Sequence, residues 1–148
     1  KDAVFQGYEI SYMKPFTLGD IALYLTLSRD DISATFDNDT YVPRIPSAKN
    51  VLDLAIMGQK NETYVISLIF SESQKDFSSI ETETNSYVDL SMKYSNKIAI
   101  SSNYDLNVNL FGNNLLDRTR RNHASFVKAH VPLPASSFGF DVSLDYKF

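Results

Sequence analysis

Residues 137–148 read SFGFDVSLDYKF. Phe138, Phe140, Val142, Leu144, Tyr146 and Phe148 alternate with Gly139, Asp141, Ser143, Asp145 and Lys147. Successive side chains of a strand point to opposite faces, so this spacing puts every large apolar group on one face and every charge on the other. Such a strand has one wet face. Its other face needs a protein core or lipid.

Six more segments upstream repeat the pattern. The first covers roughly Val4 to Lys14, with Val4, Tyr8, Ile10 and Tyr12 opposite Gly7, Glu9 and Ser11; Pro15 and the Leu18-Gly19-Asp20 turn are expected to end it. In the second, Ile21, Leu23, Leu25 and Leu27 alternate with Ala22, Tyr24, Thr26 and Ser28. The third runs near Val51–Gly58, with Leu52, Leu54 and Ile56 on its apolar face, and a Lys60-Asn61-Glu62 turn follows. The fourth carries Tyr64, Ile66, Leu68 and Phe70; the fifth Val88, Leu90, Met92 and Tyr94; the sixth Leu106, Val108 and Leu110. Nine Tyr and ten Phe fit this strand-rich reading.

The connections alternate in length. Those after the second, fourth and sixth strands are long, roughly Arg29–Lys49, Glu72–Asn85 and Gly112–Ser136. Long loops at one end of a sheet and short turns at the other is the outer-membrane pattern. Tyr8, Tyr12, Tyr64, Phe70, Tyr94, Tyr146 and Phe148 stand near strand ends, where an interfacial aromatic girdle belongs. A soluble sandwich also alternates, but branched aliphatics would dominate its buried face. The aromatic placement therefore favours a transmembrane antiparallel β-barrel in an all-β chain.

Bulk properties are consistent with this reading. Hydrophobic residues make up 43% of 148 residues, and no run approaches the roughly 18 apolar residues of a membrane helix. A net charge of -4 argues against nucleic acid as a partner. Without cysteine there is no disulfide or thiolate site. The opening KDAVFQGYEI has no signal-peptide pattern, so an outer-membrane chain is expected to be mature, truncated or a fragment. Bacterial barrels have even strand numbers, so seven strands mean either one missed strand or an incomplete barrel.

The last third, NLFGNNLLDRTRRNHASFVKAHVPLP at 109–134 followed by the terminal strand, resembles the C-terminus of TonB-dependent outer-membrane receptors. The carrying features are the Asn114-Leu115-Leu116-Asp117 turn, Arg121-x-His123-x-Ser125-Phe126-x-Lys128 and Pro132-x-Pro134. Val42-Pro43-Arg44-Ile45-Pro46 and Glu83-Thr84 before Tyr87 look like further landmarks in order. The zinc and copper branch is most similar, with one departure: Ala135-Ser136-Ser137 stands where members often have Gly-Arg.

The resemblance implies that residues 1–148 form the final seven strands of a barrel of about 22, with the plug domain and energy-coupling box outside this chain. It implies an outer-membrane receptor for a scarce metal ion or metal chelate, zinc first, then copper, haem or a siderophore. The expected partners are the upstream strands and plug, TonB acting through that plug, the barrel-assembly machinery, and lipid with lipopolysaccharide. Phe140, Val142, Leu144, Tyr146 and Phe148 resemble the strand signal read by that machinery; backbone pairing with alternate side-chain readout is the physical basis.

His123 and His130 are the candidate metal ligands, since imidazole suits zinc and copper. The bland alternative is a packed or exposed loop histidine. Asp30, Asp31, Asp37 and Asp39, then Glu72, Asp76, Glu81 and Glu83, are expected in loops, as a cation-concentrating mouth or simply a solvated surface. Arg118, Arg120 and Arg121 are expected to form structural salt bridges or to meet lipid phosphates. Arg44 reads as a loop anchor. No Gly-x-Ser-x-Gly elbow, His-Glu-x-x-His or phosphate loop is present, so no enzyme and no covalently bound cofactor is expected. The rivals are an outer-membrane pore or barrel enzyme, and a soluble β-sandwich.

Overall fold

A computed structural model describes residues 2–147, so Lys1 and the terminal Phe148 lie outside the described residues. Seven strands follow in chain order: β1 (Ala3–Leu18), β2 (Ile21–Phe36), β3 (Lys49–Met57), β4 (Glu62–Ser71), β5 (Tyr87–Ala99), β6 (Tyr104–Asn113) and β7 (Ser137–Tyr146). They form one antiparallel sheet in the order β1-β2-β3-β4-β5-β6-β7, each strand beside its sequence neighbours. β1 and β7 are paired on one side only among the described residues.

The turns at one end are short. Gly19 takes a φ of 59° in the two-residue β1–β2 hairpin, where a left-handed residue matches the strand twist. Asn61, at φ 62°, does the same between β3 and β4. The other end carries three long connections: L1 (37–48), L2 (72–86) and L3 (114–136).

The register aligns the apolar alternation across the sheet. One row runs Tyr12, Leu27, Leu52, Leu68, Leu90 from β1 to β5. Another runs Phe16, Leu23, Ile56, Tyr64, Tyr94, Leu110, Phe140 across all seven strands. A one-residue slip in any pair would break these rows, which is why the pattern specifies the register. The opposite face carries Thr26, Asp53, Ser67 and Ser91, then Ser95, Asn109 and Asp141. Lys14, between Met13 and Pro15 on the β1 edge strand, falls beside Leu25 and interrupts the apolar rows.

Among the described residues only two hydrophobic side chains are buried, Ala34 and Ile45, against ten polar or charged ones. The large apolar residues are exposed or half-exposed on their face of the sheet. The buried interior is polar and concentrates at the long-loop end: Ser47, Gln74, Thr84, Asn114, Arg120, His123 and Lys128.

Two strand expectations need correction. β1 does not stop at Pro15 but continues to Leu18. Proline lacks only the donor, and counting back from the Leu18↔Ile21 pair that closes the two-residue hairpin puts Pro15↔Tyr24 at a non-hydrogen-bonded pair of the antiparallel ladder, where β2 does not need it. β2 does not end near Ser28 but runs to Phe36, which moves Asp30 and Asp31 from a loop onto the strand. The reason is a change of phase. Below Arg29 the apolar face carries Ile21, Leu23, Leu25 and Leu27; beyond it the same face carries Arg29, Asp31, Ser33 and Thr35, while Ile32, Ala34 and Phe36 turn to the opposite face. β5 and β6 are also longer than their apolar cores suggested.

Candidate functional site in the loop crown

The three long loops are fixed first at their own bases. L1 turns at Asp39, with φ 59°, and Val42 donates its amide to Ala34 O at 3.0 Å. L2 is pinched by a reciprocal backbone pair, Gln74 N to Thr84 O at 2.8 Å and Thr84 N to Gln74 O at 3.2 Å. L3 opens on Asn114, which has φ 49° and no exposed surface. Its side-chain amide donates to Arg118 O at 3.0 Å and its carbonyl accepts from Arg118 N at 3.0 Å. Asn tolerates the left-handed conformation because its short amide satisfies nearby backbone groups. Arg120 pairs with Asp89 of β5 in a buried contact and donates to Pro134 O at 2.7 Å, holding L3 down on the sheet.

Contacts between loops come next. From L2 to L1, Gln74 Nε2 donates to Ile45 O at 3.1 Å, and the Glu81 carboxylate accepts the Arg44 amide at 3.1 Å. From L3 to L2, Lys128 Nζ donates to Thr82 O at 2.5 Å and reaches Thr84 Oγ1 at 3.1 Å. His123 Nδ1 lies 2.8 Å from Thr84 Oγ1 and 2.9 Å from Lys128 Nζ. From L1 to L3, the Arg44 guanidinium lies 3.1 Å above the Phe126 ring, a cation–π contact. Arg44, itself at φ 65°, therefore touches both other loops, in keeping with an anchoring residue.

The electrostatics of this knot follow from burial. An ammonium only donates, so Nδ1 of His123 is the acceptor and the ring proton sits on Nε2. Burial, and then the Lys128 ammonium, push the imidazole below its ordinary value against the pull of Glu81. Burial likewise pushes Lys128 down, opposed by Glu81. Burial pulls Glu81 upward, but hydrogen bonds from Ser78 and Arg44 outweigh it and leave the carboxyl below its ordinary value. His123 Nε2 has no hydrogen-bond partner, and Glu81 Oε1 stands 3.8 Å away.

The residues expected to bind metal are not brought together. His123 is buried in the knot, while His130 is exposed, its amide closing a turn onto Val127 O at 2.9 Å. A cation at Nδ1 of His123 would compete with the Lys128 ammonium, and at Nε2 it would have to displace a proton. Among the described residues, no group of three or more His, Cys, Asp or Glu side chains is placed to hold a metal ion.

Half of the eight acids of the expected mouth are engaged, Asp31 among them through Arg29. Glu72 accepts from Arg29, Glu81 from Ser78 and Arg44, and Asp76 from the Tyr41 hydroxyl. Of the basic run, Arg120 is in its ion pair and Arg121 donates to Lys128 O, whereas Arg118 is exposed. Clefts remain between the loops, a small one at the base of L1 and L2 lined by Tyr41, Ile45 and Gln74 among others, and two larger ones. One, of about 520 Å³, includes Phe36, Tyr41, Pro43, Phe77 and Ile80 between L1 and L2; the other, of about 370 Å³, includes Thr84, Thr119, Arg121 and Lys128 between L2 and L3.

Fold and crown together define an all-β protein of one antiparallel sheet with an uncovered apolar face and a polar, cross-linked loop end. No protein-family model matches the chain, and no curated protein matches its sequence.

Proposed function

We propose that this chain is a section of the wall of a transmembrane β-barrel in a bacterial outer membrane. The barrel belongs to a TonB-dependent receptor that takes up a scarce metal ion or metal chelate, zinc first among them. The observation that carries the membrane reading is the broad apolar face, broken only locally by residues such as Lys14 and Asn96, exposed or half-exposed across seven strands of a sheet whose buried residues are mostly polar. Soluble proteins rarely expose contiguous apolar patches beyond a few hundred Å².

The dimensions support the same reading. Along β7 the apolar row from Phe138 to Tyr146 rises about 26 Å at ~3.3 Å per residue, comparable to the ~25 Å apolar band of outer-membrane barrels. Tyr64 and Tyr94, with ring centroids 5.0 Å apart, and Tyr104 and Tyr146, 5.1 Å apart, gather toward the short-turn end. That is where one aromatic girdle would lie. At the other end the phase change at Arg29 returns polar groups to the outer face, as expected where a strand leaves lipid for water. The edges of β1 and β7 cannot remain unpaired in hydrocarbon, so the rest of the barrel completes them.

The receptor assignment rests on the resemblance of residues 109–134 and the terminal strand, and the metal ligand rests on that resemblance rather than on the two histidines. Lipid contacts the apolar face, and the terminal alternation through Phe140, Val142, Leu144, Tyr146 and Phe148 serves barrel assembly. No covalent chemistry is assigned to the chain.

The test uses the full-length protein in outer membranes, with zinc accumulation measured in cells with and without TonB. Accumulation that requires both the protein and TonB is expected. Equal accumulation without TonB would indicate a passive pore instead. A monodisperse, folded protein obtained without detergent would remove the membrane reading altogether.

A further inference from the structure

The contacts among L1, L2 and L3 form a closed triangle. L1 meets L2 through Arg44–Glu81 and Gln74–Ile45. L2 meets L3 through Thr84–His123 and Lys128–Thr82. L3 returns to L1 through Phe126 and Arg44. Single residues serve two neighbours: Glu81 accepts the Arg44 amide and lies beside His123, Thr84 lies beside both His123 and Lys128, and Arg44 gives its backbone amide to Glu81 while its guanidinium lies over Phe126.

From this we propose that the three long loops are one lid, which opens and closes as a single cooperative unit rather than as three independent flaps. Withdrawing L3 leaves the Thr84 hydroxyl and Thr82 carbonyl without their L3 partners and uncovers one face of the Arg44 guanidinium. Withdrawing L1 takes the Arg44 donor from the half-buried Glu81 carboxylate and leaves it only its Ser78 donors. A polar group left half-paired is penalised, more so if charged, so partial opening is disfavoured relative to full opening. Full opening lets water satisfy every group at once. The clefts between L1 and L2 and between L2 and L3 would then open together. The inference rests on loop geometry alone and holds whether or not the apolar face meets lipid.

Native-state hydrogen exchange on the full-length protein tests it, because cooperative units exchange through one shared opening. Four amides report the loops: Val42 in L1, Gln74 and Thr84 in L2, and Leu133 in L3, whose partners are Ala34 O, Thr84 O, Gln74 O and Arg120 O. In sub-denaturing urea all four are expected to converge on one opening with a common urea dependence. Lys128→Met removes the L3-to-L2 bonds and the contact with His123 inside L3, none of which reaches L1, yet it is expected to raise exchange at all four by the same factor, at least tenfold, while β3–β4 amides are unchanged. Phe126→Ala, at an exposed position that does not threaten folding, is expected to act on all four together by a smaller common factor. Separate openings of different size for L1, L2 and L3 would overturn the proposal. So would variants that raise exchange at Leu133 alone.

Discussion

Leu68 and Ser67 are adjacent on β4 and face opposite ways. Leu68 lies between Leu52 and Leu90 on the apolar face, and Ser67 between Asp53 and Ser91 on the polar one. Replacing each with arginine isolates the environment of the two faces while holding strand, depth and neighbours nearly constant. At the mid-depth of a lipid-facing surface an arginine costs about 2–4 kcal/mol. A factor of ten corresponds to about 1.4 kcal/mol, so Leu68→Arg is expected to lower the folded-to-unfolded ratio by roughly 30- to 1000-fold. Ser67→Arg gains a cross-strand carboxylate in Asp53, worth about 0.2–1 kcal/mol, and is expected to be neutral or mildly stabilising. Tyr64→Arg, on the same face as Leu68 but toward the edge of the band, is expected to cost only about 0–1 kcal/mol. The assay is reversible urea unfolding of the full-length protein in lipid vesicles, read by the different gel mobility of folded and unfolded forms. Equal costs at Leu68 and Ser67 would refute the assignment of the faces. Equal costs at Leu68 and Tyr64 would refute the lipid, since a protein core has no such dependence on depth.

Two further outcomes follow from the crown. His123 binds a proton less readily in the closed crown than in an open one, where its ordinary value is 6.5, so proton uptake favours opening; loop protection is expected to decline as pH falls below about 6.5, by at most tenfold per pH unit, with the Glu81 shift extending the loss below 4.5. Exchange rates corrected for intrinsic pH dependence between pH 7.5 and 5.0 measure this, and His123→Asn, which keeps an acceptor near the Nδ1 position but cannot titrate, should flatten the curve above pH 5. Arg120→Met strands the buried Asp89 carboxylate and is expected to destabilise by about 3–5 kcal/mol, whereas the double change with Asp89→Leu should recover much of that loss; urea midpoints of the two variants provide the comparison.

The sheet was largely legible in the sequence because its determinant is local. Alternation over runs of five to eleven residues identified all seven strands, and the long and short connections placed L1, L2 and L3 at one end. What failed to show was the end of each apolar band. In β2 the pattern inverts at Arg29, and a reading by one phase ends the strand where only its exposed face has changed. Pro15 misled for a related reason: its cost depends on whether a neighbour needs the missing donor, a property of the sheet and not of the residue. The knot was illegible for a different cause. His123 was noticed for its imidazole, but its partner Thr84 is 39 residues away, and no role was legible for Lys128 beyond its place in a family-like stretch. The one available signal was the resemblance motif that carries His123 and Lys128 together, which indicated that both belong to one stretch without indicating what they touch.

The polarity of the crown follows from the way the apolar residues are used. Between Ile21 and Leu27, Leu52 and Ile56, and Tyr64 and Phe70, alternate positions are committed to one face of the sheet, and large apolar side chains of the loops, among them Ile80, Phe126, Val127 and Val131, are exposed rather than packed together. Ala34 and Ile45 are the only hydrophobic side chains buried among the described residues. A small apolar core cannot hold three long loops, so they are held by Thr84, Glu81, His123, Lys128 and Arg120 instead. Such contacts contribute little net stability in water, because each exchanges for hydration, but they are directional and costly to leave half-made. The crown is therefore expected to be specific in structure and low in stability. That combination favours a two-state lid, and acid, which adds a proton at the centre of the knot, is expected to act on the loops while leaving the sheet intact.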